Sequence, residues 1–568
     1  MKVFGTGALI AMLLIVGITV AKQRPDFQDP SYFTAKSEVP ISDRAVDYLA
    51  KNQIDGKVKI WVFFTDKGIF NKSEFTAAAL TAKVGLTPRA KARREKHGVS
   101  EIRFTDLPVN SRYVDQLESM GAKVLSTSKW LNSASIEIDI NRVGLITDLS
   151  FVNRVQPVAT FKRPVEEVSS EKTIPQGDQQ SLQPTSLLYG SSLGQLTQIN
   201  VPICHDSGYA GQGMLISVFD TGFRKSHNSF AQAYIDGRVI AEHDFVFNDG
   251  NVSNEVGDDA SAWSHGTSTW STCGGANSGV HYGPAYLAQF ILCKTEDVRS
   301  ETVVEENNWA AAMEWCDSIG TDIITSSLGY TDWYVTTNYN GDFCVSTVAA
   351  DIAASNGILV VNSAGNSGSA PQTLGAPADA DSIITVGAVN SSGTIVSFSS
   401  RGPTADGRIK PEVCAQGSNV SVASSGGDAS YGASSGTSFS CPLTAGAAAI
   451  VWAANPGWTN MQVREALMVT ANNAATPNNN YGWGIINTWA ALNYSFAPPS
   501  FIPGDANGSG GLSISDPVFL ISYVFAAGAA PSPLESGDSD CSGSISISDA
   551  VYLINHIFGG GPAPDSCE

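Results

Sequence analysis

The amino-acid sequence predicts a doubly wound α/β protein on a parallel sheet, preceded by a small α/β unit and followed by a small α-helical, calcium-loop module. Three observations carry this prediction. Short apolar runs alternate with helix-like segments through the middle of the chain: MLISVF (214–219), DIITSS (322–327), ILVVNS (358–363) and IITVGAV (383–389). Continuous apolarity marks strands buried on both faces, as in a parallel sheet covered by helices. All nine cysteines lie at or beyond Cys204, so residues 22–184 differ in composition from the rest of the chain. Near the C-terminal end a segment recurs 33 residues later.

In chain order, residues 1–21 carry Lys2, an apolar run from Ala8 to Val20 and a small-residue ending at Ala21, the pattern of a secretory signal; an uncleaved N-terminal anchor is the alternative. Residues 22–184 hold strand-like KVKIWVFF (57–64) and SASIEIDI (133–140), with helix-like SRYVDQLESMG (111–121) between them. The basic run PRAKARREKHG (88–98) is expected to be a solvated helix face, and polar SSEKTIPQGDQQSLQPTS (169–186) an exposed, cleavable linker. The sheet domain spans 185–495, a Pro-rich linker 496–503, and the repeats 504–568.

Composition limits function. Lys plus Arg number 34 and Asp plus Glu 54, a net charge of −20, which repels nucleic acid and anionic lipid and suits carboxylates that hold calcium. No stretch after the first is apolar for long enough to cross a bilayer, so no membrane association is expected of the mature chain. Export favours disulfides among the cysteines; connectivity stays open, an odd total leaves at least one unpaired, and Cys541 to Cys567 would close the tail.

Ligands of doubly wound folds bind at the carboxyl ends of the strands, which nominates Asp220, Ser327, Gly329 and Asn366. Asp220 stands in VFDTGF; an aspartic-protease reading of Asp-Thr-Gly fails because the only similar triplet, from Asp206, begins 14 residues earlier. His265 opens HGTSTWSTCGG. Among the serines of SYGASSGTSFSCPLTAGAAAIVW, Ser434 matches Gly-x-Ser-x-Gly, yet SVASSGGDASY before it reads as no buried strand, and only His556 lies downstream. Ser438 follows Gly436-Thr437 and precedes a buried helix expected to start at Pro442, whose N-terminal charge favours an oxyanion.

These segments, in the order Asp, His, Ser, resemble the subtilisin-like (subtilase) serine proteases. The resemblance covers about 300 residues and includes SSLG (326–329), SAGNSG (363–368), VSFSSRGP (396–403) and KPEVCAQG (410–417). It implies a secreted serine endopeptidase with Ser438 as nucleophile, His265 as general base and Asp220 as its carboxylate. Asn366 would be the oxyanion donor; losing one costs about 3 kcal/mol, a magnitude measured within this same family. Substrate backbone would pair with Ser327, Leu328 and Gly329, and Gly375 would floor a pocket for large apolar side chains. Residues 22–184 would be an inhibitory pro-segment, removed by self-cleavage within 165–190. The sequence departs from the family pattern at Thr269 and Trp270, where Val and a small residue are usual.

The repeats GDANGSGGLSISDPVFLISYVF and GDSDCSGSISISDAVYLINHIF each open a twelve-residue loop of oxygen-bearing side chains with glycine sixth. The first offers Asp505, Asn507, Ser509, Ser513 and Asp516, the second Asp538, Asp540, Ser542, Ser546 and Asp549. The pair resembles a type I dockerin, which implies calcium binding and docking onto a cohesin domain, and with it attachment at a cell surface. A catalytically silent subtilase acting as an adhesin is the competing reading; intact Asp220, His265, Asn366 and Ser438 argue against it.

Overall fold

The computed structural model describes residues 36–99, 102–159, 187–299, 305–496, 501–526 and 528–565. The expected signal (1–21), most of the expected cleavage region and Cys567 lie outside the described residues.

The N-terminal unit is an antiparallel sheet of β1 (Lys57–Phe64), β2 (Lys123–Ser128), β3 (Ser133–Asp139) and β4 (Val152–Pro157), in the order β2-β3-β1-β4. Alternation along β1 serves two cores. Val58, Ile60, Val62 and Phe64 enter the unit's own core, whereas Trp61 and Phe63 pack with Val345 of the following domain.

That second face is one part of a broad interface. The Ser128 hydroxyl and the Trp130 N–H donate to Glu314 Oε1 at 2.6 and 3.1 Å, and the Ala159 N–H donates to buried Glu306 at 3.2 Å. The basic run, expected to be solvated, is instead the helix Pro88–Lys96 seated on the larger domain. Arg93 and Arg94 are buried and both pair with buried Asp317; Arg94 also pairs with Asp106 at 2.6 Å. Arg93 donates to the Thr321 and Asn356 carbonyls at 2.6 and 3.1 Å. Sequence does not reveal such a face, because a charge run buried against complementary charge has the composition of a solvated one.

The larger domain is a seven-stranded, wholly parallel sheet: β5 (Leu215–Asp220), β6 (Val239–Asp244), β7 (Gln289–Lys294), β8 (Ile323–Ser326), β9 (Leu359–Ser363), β10 (Ile384–Val389) and β11 (Val413–Gln416). Their order, β11-β10-β9-β8-β5-β7-β6, reverses direction between β5 and β8, so the cleft opens at the carboxyl ends of those two strands. The helix Thr437–Ala454 is long and apolar enough to cross a membrane, but it lies buried in the core. It presses on the helix Ser264–Gly274 through glycine: a Cβ on Gly446 would lie 2.8 Å from the Cys273 carbonyl oxygen.

Two local expectations are corrected. The core helix starts at Thr437, five residues before Pro442, which sits inside it. The segment before Ser434 does form strands, the buried Val420–Ala423 pairing antiparallel with Tyr431–Ser434, but as a separate hairpin outside the parallel sheet. The seven cysteines from Cys204 to Cys441 are buried free thiols, against the expectation of disulfides among them; Cys541 is disulfide-bonded.

His97 ends the docked basic helix. Its ring Nε2 accepts from the Asn460 N–H at 3.1 Å while Nδ1 donates to the Arg93 carbonyl at 2.7 Å. Asn460 opens the helix Asn460–Val469, so the neutral imidazole satisfies a helix-terminal donor where positive charge is unwelcome. Burial, with Arg93 and Lys96 beside it and Asp322 opposing them, holds the ring below its ordinary value of 6.5. The undocked ring therefore takes a proton that the docked ring refuses: docking is full above pH 6.5 and weakens as pH falls below it. In the full chain carrying Ser438→Ala, hydrogen exchange at the Asn460 amide should speed up between pH 7.5 and 5.5 beyond the intrinsic trend, and His97→Gln should flatten that response.

Candidate active site

Asp220 is the last residue of β5 and fully buried. A buried carboxylate needs donors, and three arrive from two directions. The Thr221 N–H donates to Oδ1 at 2.8 Å; His265 Nδ1 lies 2.6 and 2.8 Å from Oδ1 and Oδ2; the Thr269 hydroxyl donates to Oδ2 at 2.8 Å. His265 stands in the first turn of the helix Ser264–Gly274, which can approach because residue 266 is glycine: a Cβ there would lie 2.1 Å from the Gly222 carbonyl oxygen. Contact with the carboxylate places the imidazole proton on Nδ1 and makes Nε2 the basic nitrogen. Trp270 secures the helix from behind, stacked on Phe230 with ring centroids 3.6 Å apart and edge-on to Phe223. Sequence marks Thr269 and Trp270 only as departures from a pattern; the structure gives each a contact.

Ser438 is the second residue of the core helix and is buried at the cleft, with the ring of adjacent Phe439 5.8 Å from that of His265. The other serines of that loop have different surroundings. Ser440 donates to the Thr437 carbonyl, Ser435 accepts from the Asn419 N–H, and Ser434 is buried at the end of the hairpin. Asn366 is exposed beyond β9, and its Oδ1 accepts from both the N–H and the hydroxyl of Thr437, at 2.9 and 3.0 Å. Those bonds fix the amide, with Nδ2 opposed to Thr437.

Ser327 follows β8, and its hydroxyl donates to the Ser438 carbonyl at 2.9 Å. That carbonyl would ordinarily receive the N–H four residues on, but residue 442 is proline and has none. The Ser327 hydroxyl thus replaces the missing helix bond at Ser438. The Leu328 carbonyl accepts from Asn362 at 3.1 Å, and the Tyr330 N–H donates to the Ala376 carbonyl at 2.8 Å, which brings Gly375 beside the 327–331 segment. A Cβ on Gly375 would lie 2.5 Å from Thr331 Cγ2. The positioning roles of Thr269, Thr437 and the Ser327 hydroxyl depend on packing that no local pattern encodes.

The two C-terminal loops share one geometry. Asp505 accepts from the N–H groups of Ser509 and Gly510 at 2.9 and 2.7 Å, and Asp538 from those of Ser542 and Gly543 at 3.0 and 2.9 Å. Gly510 and Gly543 have φ of +91° and +80°, the left-handed turn a side chain resists. Asp516 and Asp549 are buried at the starts of the helices Ser515–Ala526 and Ile547–Gly559. One carboxylate oxygen each of Asp538, Asp540 and Asp549 lie within 4.8 Å of one another, as do those of Asp244, Asp249 and Glu255 in the larger domain.

Comparison with known proteins gives two family matches: the subtilase family over residues 211–484, and a peptidase S8 propeptide domain of Bacteroidota over residues 59–175. Among relatives, subtilisin E of Bacillus subtilis is 35% identical over 300 residues, covering 52% of this chain and 70% of the relative. Subtilisin of Bacillus pumilus is 35% identical over 299 residues, 52% of this chain and 97% of the relative. Serine protease AprX of Bacillus subtilis is 31% identical over 304 residues, 49% of this chain and 65% of that protein.

The bond between Ser327 and the Ser438 carbonyl has a direct check. Ser327→Ala leaves a buried carbonyl without its donor and should cost about 1–3 kcal/mol in unfolding free energy. Pro442→Ala restores an N–H to the same carbonyl, so thermal melts of the double variant should recover most of that loss, a non-additive cycle.

Proposed function

Because the chain belongs to the subtilase family and is a serine endopeptidase with an N-terminal propeptide domain, we propose that Ser438, His265 and Asp220 are its nucleophile, general base and orienting carboxylate, with Asn366 as oxyanion donor. The observation that carries this reading is the buried Asp220 carboxylate with His265 Nδ1 at 2.6 Å, beside the start of the helix that bears Ser438.

The chemistry follows from the positions. His265 Nε2 takes the Ser438 proton as Oγ attacks the substrate carbonyl, and Asp220 compensates the imidazolium. The oxyanion meets the Ser438 N–H in the first helical turn and the Asn366 side-chain amide, fixed by Thr437, so these donors need no rearrangement as charge develops. His265 then protonates the leaving amine, and water repeats the sequence on the acyl-enzyme. The backbone of Ser327 to Gly329 pairs with an extended substrate, and Gly375 floors a pocket that prefers large apolar residues before the scissile bond. The N-terminal unit acts as an intramolecular inhibitor, consistent with its propeptide match and wide buried interface, and is released by self-cleavage within 165–190 after secretion.

The C-terminal repeats form a calcium-dependent docking module of dockerin type. Asp505, Asn507, Ser509 and Asp516 would hold one ion, and Asp538, Asp540, Ser542 and Asp549 a second; each ion would cross-link its loop to the helix that comes after it. Support comes from the duplicated loop geometry and from two matching exposed apolar stripes: Ile514, Val518, Ile521 and Phe525 recur 33 residues later as Ile547, Val551, Ile554 and Phe558. Spacings of four, three and four residues put each stripe on one helix face. A cohesin-type domain covering one stripe would anchor the secreted enzyme at a cell surface.

Two experiments test these readings. Ser438→Ala should abolish both maturation and casein cleavage, while Asn366→Ala should keep the fold and lower kcat by about 10²–10³-fold; a mature, active Ser438→Ala enzyme refutes the assignment. Calcium chelation should lower the melting temperature of the C-terminal module, and Asp538→Ala should reproduce the part due to the second loop; a module indifferent to both holds no calcium there.

A further inference from the structure

We infer that Thr269 is a positioning residue for the catalytic reaction: its hydroxyl holds Asp220 in place and shares its charge, and thereby sets the pH at which His265 becomes a base. The inference rests on the assignment of Asp220 and His265 above. Three features of the site carry it.

The first is reach. Residues 265 and 269 are one helical turn apart on the same face of the helix Ser264–Gly274, so both side chains meet the end of β5 together. The second is the direction of the proton. The Thr269 hydroxyl has one hydrogen and two acceptors, Asp220 Oδ2 at 2.8 Å and the Gly266 carbonyl at 3.2 Å. The shorter contact goes to the charged acceptor, where a hydrogen bond is about twice as strong. The third is the state of the carboxylate. Asp220 and Thr269 are buried, 0% and 1% exposed, and Thr221 N–H occupies Oδ1, so the hydroxyl complements it on Oδ2.

The consequence is electrostatic. A donor on Oδ2 draws charge from the carboxylate and weakens its hold on the imidazolium, so His265 loses its proton at lower pH than it would beside an unassisted Asp220. Three ionisable groups near the pair are neutral or held by other partners. Lys294, opposite Asp220 on β7, has its ammonium bound by Asp244 and Asp258 at 2.8 Å. Arg224, in the loop after β5, pairs with Asp428 at 2.7 Å. Cys441 of the core helix is a neutral thiol, pushed up to about 12 by burial. The hydroxyl on Oδ2 also joins the Thr221 N–H on Oδ1 in fixing the rotation of the carboxylate, which His265, contacting both oxygens, restrains less.

The test is the pH profile of kcat/KM for the mature enzyme, each preparation normalised by titration with a serine-directed organophosphonate. Thr269→Val keeps the shape and removes the hydroxyl. It should move the acidic limb upward by about 0.5–1 in pH and lower kcat about 3–10-fold, with KM little changed; Thr269→Ser should restore both. An acidic limb that stays in place in Thr269→Val overturns the inference, even where stability or kcat falls, since packing alone would do that. Should the valine variant fail to mature, Thr269→Ala is read in the same way. A wild-type enzyme that takes up no phosphonate points instead to failure of the underlying triad assignment.

Discussion

A carboxylate taken wholly out of water at the end of a parallel strand is the constraint around which this enzyme is arranged. Asp220 cannot be buried without donors; its own next residue supplies one, and one helix, which must start at the cleft to deliver them, supplies His265 and Thr269. The glycine at 266 lets that helix close on the strand, and Trp270 locks its other side into the core. The core helix packs on the same element, so the starts of both helices converge at the cleft, where the proposed mechanism develops charge during acyl transfer. The cleft thus gains its order from the rigid sheet and helices behind it, which is how donors are held in place before the reaction needs them.

A second set of buried charges joins the N-terminal unit to the enzyme. Arg93 and Arg94 surround Asp317 in a contact from which water is excluded, and Glu306 and Glu314 receive backbone donors from the same unit. Buried ion pairs add little net stability, because desolvation offsets much of the attraction, but a misplaced register leaves a charge unpaired at a cost of several kcal/mol. The network therefore fixes where the unit sits more than how tightly. The Arg93 and Arg94 part of it lies at the end of the helix Glu305–Ile319 and before β8, at the amino ends of the strands, whereas Asp220 stands at the carboxyl end of β5.

Much of this was legible in the residues, and the gaps have physical causes. Four of the seven sheet strands, β5, β8, β9 and β10, announce themselves as short apolar runs because they are buried on both faces, and β7 carries the same signal at Phe290 to Cys293. The edge strand β6, with the sequence VIAEHD, carries polar residues, and β11 spans only Val413 to Gln416, so neither shows that signal. Pro442 misled as a helix start because proline is common in a first turn; here the Ser327 hydroxyl makes its place inside the helix tolerable. The basic run and the buried thiols of Cys204 to Cys441 show the same limit: composition tells which groups are present, and only the fold tells which of them are desolvated together.

On the proposed assignment one serine among the four between Ser434 and Ser440 reacts, made nucleophilic by the pair of His265 and Asp220, and the other features of the cleft serve it. Labelling the mature enzyme with a fluorescent organophosphonate and mapping the modified peptide tests this most directly. The triad requires a single adduct on Ser438, formed at a rate that falls away as His265 is protonated. An adduct on Ser434, or labelling of Ser438 that persists undiminished in His265→Ala, would contradict it.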